Sequence, residues 1–229
     1  MMKYLKLFES FNEEDIHSIC KIYGIRNYTI NSDGSIDVHD DVNLFNKKLV
    51  KLPLNFNVVS GYFNCPQNKL TSLEGCPKEV GGSFYCYNNK LTSLEHCPKK
   101  INGDFYCSYN KLISLLGCPE KINGDFFCYH NKITSFEYCP KAIYGDFDCS
   151  DNKITSFDHL PFSIDGYFEC IGNPIYNIWE LFEDYSKIDL FNDCDPIREP
   201  DIIILDRLNF FLEKIGERSV SKVEGYKCI

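Results

Sequence analysis

Six cysteines, Cys65, Cys86, Cys107, Cys128, Cys149 and Cys170, stand 21 residues apart, and Cys76, Cys97, Cys118 and Cys139 form a second series with the same spacing. No other feature limits the fold as tightly. A chain with a short fixed period builds one small unit again and again; a single unit cannot bury its own apolar side, so successive units must stack. Aligned on the period, the unit reads G-D-F-x-C-x-x-N-K-L-T-S-L-E-x-C-P-K-x-I-x. Its apolar columns are Phe63, Phe84, Phe105, Phe126, Phe147 and Phe168; Leu70, Leu91, Leu112, Ile133, Ile154 and Ile175; Leu73, Leu94, Leu115, Phe136, Phe157 and Ile178; and Val80, Ile101, Ile122, Ile143 and Ile164. A degenerate earlier copy keeps the register through Val42, Leu44, Leu49, Leu52 and Val59, so about seven rungs occupy residues 40–180.

Strands stacked about 4.8 Å apart give one continuous parallel sheet over one core. The polar columns fit that coil. Asn68, Asn89, Asn110, Asn131, Asn152 and Asn173 carry an amide that can donate to and accept from backbone groups of neighbouring rungs, groups that cost about 1–3 kcal/mol each when left unpaired. They read as a structural ladder rather than as catalytic groups. Gly61, Gly82, Gly103, Gly124, Gly145 and Gly166 open each strand at a sharp bend, and Pro77, Pro98, Pro119, Pro140 and Pro161 fix φ on the opposite side.

Two lines of cysteine invite a metal or disulfide reading, and the spacing opposes both. The two series lack the close C-x2-4-C pairing of structural zinc sites, and the histidines share no register with them. Stacked side chains point in parallel rather than toward one another, which disfavours cross-rung disulfides. Alternating inward with Phe, Cys acts as a small apolar filler of a narrow row. No metal and no cofactor is expected.

Lys plus Arg number 24 against 33 Asp plus Glu in 229 residues, a net charge of −9. That sign repels phosphate backbones and anionic lipid, which argues against nucleic acid and membrane surfaces as partners. No apolar run has the length of a membrane span, and MMKYLKLFESF has no apolar core of the kind secretion uses. The chain is therefore expected in the cytoplasm, where an odd count of 13 cysteines does not form a disulfide framework.

With the columns laid out, the unit resembles the leucine-rich repeat family, whose core L-x-x-L-x-L-x-x-N-x-L is written here as GDFYCSYNKL, GDFFCYHNKI and GDFDCSDNKI. The Asn column sits where that family has its asparagine ladder, while Phe and Cys replace Leu. The C-P-K-x-I segment looks like the short rungs of bacterial and tailed-phage members, which turn through extended or tight helical backbone. The resemblance implies an α/β repeat, mainly β, coiled as a right-handed solenoid with a parallel concave sheet. It also implies a protein partner and no enzyme activity.

The flanks read as helical caps on residues 1–39 and 181–229. NEEDIHSICKIY places Ile16, Ile19, Cys20 and Tyr23 at helical spacing between an Asn12 N-cap and Gly24, and YTINSDGSIDV alternates around Asp33-Gly34 as a hairpin. After Asn173-Pro174 two helical patterns follow, with Trp179, Phe182 and Tyr185 available to seal the last rung and Ile204, Leu208, Phe211, Leu212 and Ile215 on one face.

Between the inward Phe and Cys, strand alternation turns three columns outward. These read Asn64, Tyr85, Tyr106, Phe127, Asp148, Glu169; then Pro66, Tyr87, Ser108, Tyr129, Ser150, Ile171; then Gln67, Asn88, Tyr109, His130, Asp151. Aromatics gather on the middle rungs, beside a column of Asp104, Asp125 and Asp146. Tyrosines suit strands for packing reasons alone. Rigid aromatic side chains mixed with Ser, Asn and Asp are also the composition of binding surfaces. The expected site is Tyr85, Tyr87, Asp104, Tyr106, Tyr109, Asp125, Phe127, Tyr129, His130, Asp146 and Asp148, holding a basic protein or peptide on a monomer.

Two other readings remain. The Asp column has the spacing for weak divalent-ion binding or paired-carboxylate chemistry, but nothing in the sequence encloses it and no phosphate loop, nucleophile elbow, HExxH or EF-hand pattern occurs. The start KYLKLFES, with Leu7-Phe8-Glu9, resembles the capsid-targeting peptides of tailed-phage internal proteins, which are cut after Leu or Ile, any residue, then Glu. That resemblance implies a packaged virion component.

Overall fold

In a computed structural model of the chain, the structure describes residues 12–199 and 201–229. Leu7-Phe8-Glu9 lies outside the described residues.

Seven two-residue strands form one parallel sheet in strict sequence order: Val42–Asn43, Phe63–Asn64, Phe84–Tyr85, Phe105–Tyr106, Phe126–Phe127, Phe147–Asp148 and Phe168–Glu169. Each residue pairs with its counterpart one period on, Phe84 with Phe105 and Phe105 with Phe126. Hydrogen bonding continues past the strands, from Cys65 N–H to Tyr85 O at 2.8 Å and from Cys86 N–H to Tyr106 O at 2.9 Å.

The expectation of one sheet needs correction. The C-P-K-x-I segments are extended as well, so each rung contributes a strand to each of two ladders. Glu79–Val80 pairs in parallel with Phe56–Val59 and with Lys100–Ile101, and Lys121–Ile122, Ala142–Ile143 and Ser163–Ile164 form a further parallel set. A rung 21 residues long, with a proline in every second segment, has no room for a helix there.

Between the ladders the Phe column is fully buried from Phe63 to Phe147. In-register pairing sets identical rings over one another. Phe84, Phe105, Phe126 and Phe147 stack with centroids 5.3–5.4 Å apart and planes within 14°, contacts worth about 0.5–1.5 kcal/mol per pair beyond burial. The Asn column supplies the second continuous contact. Asn89 Oδ1 accepts from Leu70 N–H at 3.0 Å while its Nδ2 donates to Cys65 O and Cys86 O, both at 3.0 Å. Every Asn from Asn68 to Asn173 makes the same three bonds in its own rung and the rung before.

The glycine column has a different reason from the bend expected. None of Gly61, Gly82, Gly103, Gly124, Gly145 and Gly166 has a positive φ. What they provide is close approach: a Cβ on Gly124 would stand 2.2 Å from Asp104 Oδ1, and one on Gly166 2.2 Å from Asp146 Oδ1. Left-handed backbone falls instead on two other columns, Gln67, Asn88, Tyr109, His130, Asp151 and Gly172, and Gly75, His96, Gly117, Tyr138 and His159. Those are the corners, and for a side chain other than Gly each costs about 1–2 kcal/mol.

At the N-terminal end, α1 (Glu13–Tyr23) has Asn12 accepting from Asp15 N–H at 2.9 Å and ends at Gly24 with φ 70°. It buries Ile16, Ile19 and Cys20 in the common core. Tyr28–Ile30 and Ile36–Val38 pair antiparallel, and Ile36–Val38 then pairs in parallel with Phe56–Val59. At the other end, α2 (Tyr176–Trp179) brings Trp179 to 5.0 Å from Phe168 and 6.0 Å from Phe157. Phe157 also meets Phe191 of α3 (Ile188–Cys194) at 5.4 Å, and Phe191 meets Phe211 of α4 (Leu205–Ile215) at 5.3 Å. A wholly helical residue range 181–229 is corrected here. Ile197–Glu199, Ile202–Ile203 and Lys227–Cys228 form a small mixed sheet, because the β-branched run before α4 pairs with the end of the chain. Among the described residues no helix is long and apolar enough to cross a membrane.

All thirteen cysteines carry free thiols. Eight of the repeat cysteines, Cys65, Cys76, Cys86, Cys97, Cys107, Cys128, Cys149 and Cys170, are buried, and burial pushes every one of these thiols up from the ordinary range. A raised thiol stays protonated in the fold and ionises on unfolding, so its contribution is complete below the unfolded value and is lost as pH rises above it. Stability in urea with a phosphine reductant should thus hold level from neutral pH to about 8.5. Above that it should fall by about 1.4 kcal/mol per pH unit for each thiol that ionises only in the unfolded chain. A level profile through pH 10 would contradict this burial.

Candidate functional site

On the outer side of the seven-stranded sheet, Tyr85, Tyr106 and Phe127 stand half-buried between strand residues that are wholly buried, Phe and Cys on either side. Tyr106 lies 5.1 Å from Tyr85, edge to face, and 4.6 Å from Phe127, stacked with planes 21° apart. A second cluster sits at the neighbouring corner. Tyr109 is 5.4 Å from Tyr129 and 4.5 Å from His130, and His130 Nδ1 is 3.3 Å from Asp151. The left-handed backbone of Tyr109 and His130 brings these rings round the end of the strand.

The column after Cys is not uniformly outward as expected. Pro66, Ser108 and Ser150 are buried while Tyr87 and Tyr129 are half-exposed. Pairing ends after two residues, so strict alternation no longer applies at the third, and small side chains there sink beside the corner.

Together these residues line an open groove of about 700 Å³. Six tyrosines, Tyr62, Tyr85, Tyr87, Tyr106, Tyr109 and Tyr129, form its walls with Asn64, Gln67, Asn88 and Ser108, and no charged side chain takes part. Of the expected site residues, five tyrosines line it, and Phe127 and His130 join through the ring contacts above. Tyr62 was missed. It occupies the column that later rungs fill with Asp, so the column pattern hid it. Asn64, Gln67 and Asn88 stood in the outward columns, where only aromatic and acidic character separated candidates from background.

The acidic residues have mostly backbone work. Asp125 N–H donates to Asp104 Oδ1 at 3.1 Å, Asp146 N–H to Asp125 Oδ1 at 2.9 Å and Tyr167 N–H to Asp146 Oδ1 at 2.8 Å. Asp148 Oδ1 accepts from Ser150 N–H at 2.9 Å. One oxygen of each carboxylate in the Asp column therefore joins successive rungs, above the glycine that leaves room for it. This corrects the reading of that column as a free acidic flank or ion site; among the described residues no group of three or more His, Cys, Asp or Glu side chains is gathered to hold a metal. The charge still reaches the groove. Burial, and then the Asp104 and Asp125 carboxylates, push the Tyr106 phenol up to about 12.

No family model, curated protein or solved structure matches the chain. Function has to be argued from the groove itself.

If the Asp column acts through its backbone acceptor, Asp125→Asn, which keeps an Oδ1 acceptor, should unfold in urea within about 0.5 kcal/mol of the parent. Asp125→Ala, which leaves Asp146 N–H without its partner, should lose about 1 kcal/mol or more. Equal damage from both would assign the column to charge instead.

Proposed function

We propose that the chain is a right-handed solenoid of the leucine-rich-repeat type, closed at its ends by the N-terminal helix and hairpin and by the C-terminal helical segment. On this reading it holds a protein or peptide partner on the aromatic face and catalyses nothing. The tyrosine groove carries the proposal.

Six tyrosines at one place on a water-facing surface are costly unless a partner covers them. Each is fixed at its base by a sheet whose neighbours are bonded rung to rung, so little freedom is lost on contact, and each presents a broad apolar ring with a hydroxyl at its tip. The groove is open along the stack and nothing closes over it to exclude water, which suits binding better than chemistry. Asp104 and Asp125 beside it favour a partner with basic character.

Affinity capture from native-cell lysate with mass spectrometry tests the face. A double variant, Tyr106→Ser with Phe127→Ser, alters two half-buried outward side chains and should keep the parent's far-UV spectrum and cooperative melting. Partner recovered by the parent should drop about tenfold or more with the variant, a loss of about 1.4 kcal/mol in binding. Equal recovery would remove this face from the account.

A further inference from the structure

We propose that the groove takes a proline-rich segment in the polyproline II conformation, carrying a basic side chain and lying along the stack across the strands. The inference rests on the reading of this face as a peptide-binding surface, and it names the kind of peptide.

Backbone pairing cannot serve recognition here. In the rungs beneath the groove the N–H groups of Cys65, Cys86 and Cys107 already donate to the next rung, so a ligand has to be read by side chains. The groove offers flat rings tipped with hydroxyls, with amides between them and no charge. A helix satisfies its own carbonyls, and an extended strand seeks a sheet edge. A polyproline II segment makes no internal hydrogen bonds, turns all its carbonyls outward and presents ring faces, which is what tyrosine hydroxyls and rings match.

The spacing agrees. In the column after Cys, tyrosine and serine alternate as Tyr87, Ser108, Tyr129, Ser150. Like residues are therefore two rungs apart, about 9.6 Å at the usual strand spacing. One turn of polyproline II is three residues and about 9.3 Å, so positions i and i+3 of the ligand meet equivalent positions of the protein with little drift.

An independent observation lies in the same column. Ser108 and Ser150, only 2% and 9% exposed, have hydroxyl oxygens without a hydrogen-bond partner. Ser108 belongs to the groove wall. The Tyr129 phenol is near it, since burial and Tyr109 push that phenol up while the Ser108 hydroxyl draws it down, but the pair lacks hydrogen-bond geometry. An unpaired buried hydroxyl costs about 1–3 kcal/mol. A ligand carbonyl, admitted as the tyrosine ring turns aside, supplies the missing acceptor, and the two serines stand one ligand turn apart. The neighbouring Asp104 and Asp125 then select a lysine or arginine at the segment's edge, in a chain whose net charge is −9.

The test is fluorescence anisotropy of a fluorescein-labelled oligoproline with an arginine at each end, titrated with the full chain. A Gly-Ser peptide of equal length with the same ends is the comparator. Saturable binding of the oligoproline is expected, with the Gly-Ser peptide about tenfold weaker. Tyr87→Ser with Tyr129→Ser should weaken oligoproline binding about tenfold as well, while Tyr138→Ser with Tyr144→Ser, which changes exposed tyrosines outside the groove, leaves it unchanged. Far-UV spectra and melting of each variant establish that the fold persists. Equal binding of the two peptides, or oligoproline binding indifferent to Tyr87 and Tyr129, overturns the proposal. If no oligoproline binds while partner capture still depends on Tyr106 and Phe127, the proline proposal falls and the binding face stands. If both are indifferent, both fall.

Discussion

Backbone hydrogen bonding between residues one period apart is the constraint on which the other features depend. On the phenylalanine side each rung donates to the next, as Phe84 N–H does to Asp104 O at 2.8 Å, and beyond the asparagine the direction reverses, with Lys90 N–H donating to Leu70 O at 2.9 Å. A polar backbone coiled around a dry core has to satisfy its groups this way or lose stability at every turn. The asparagine ladder takes the groups at the corner that no strand can reach. In the rungs carrying Asp104, Asp125 and Asp146, the aspartate ladder bridges the strand entrance.

From that register follow both the core and the face. Pairing like with like stacks the phenylalanines inside, and the same geometry stacks Tyr85, Tyr106 and Phe127 outside. The outer stack is therefore partly inherited from the scaffold. What the scaffold does not require is the gathering of tyrosines from four successive rungs, Tyr62 through Tyr129, with no charge among them, or serines buried without partners in the same column. Those features single out this part of the surface, whereas the rungs on the C-terminal side carry Asp148 and Glu169 in the place of Tyr85 and Tyr106.

Much of the fold could be read from residue columns because each column repeats one physical demand. Phe, Cys, Leu and Asn recur where burial or backbone satisfaction recurs, and the structure has them there. The glycine column was legible as a constraint but not as a cause: a glycine demanded by φ and one demanded by a carboxylate 2.2 Å from its absent Cβ are written with the same letter. The second ladder was hidden because Lys100–Ile101 or Ala142–Ile143 is too short to show a period of its own. Tyr62 was hidden by occupying an aspartate column, and the sinking of Ser108 depends on where strand pairing stops. The C-terminal sheet joins segments distant in sequence, Ile202–Ile203 with Lys227–Cys228, and no local pattern encodes that.

The register claim is tested most directly by removing one rung. Deleting residues 104–124 takes out a single period of 21 residues and rejoins Gly103 to Asp125, so every ladder can close again. Deleting residues 104–123 instead shifts every later column by one residue, exposing the phenylalanine row and burying its polar neighbours. Thermal unfolding followed by far-UV circular dichroism should show a cooperative transition for the first variant and none for the second. Similar melting of the two, whether both fold or both fail, would contradict a fold held by register between rungs.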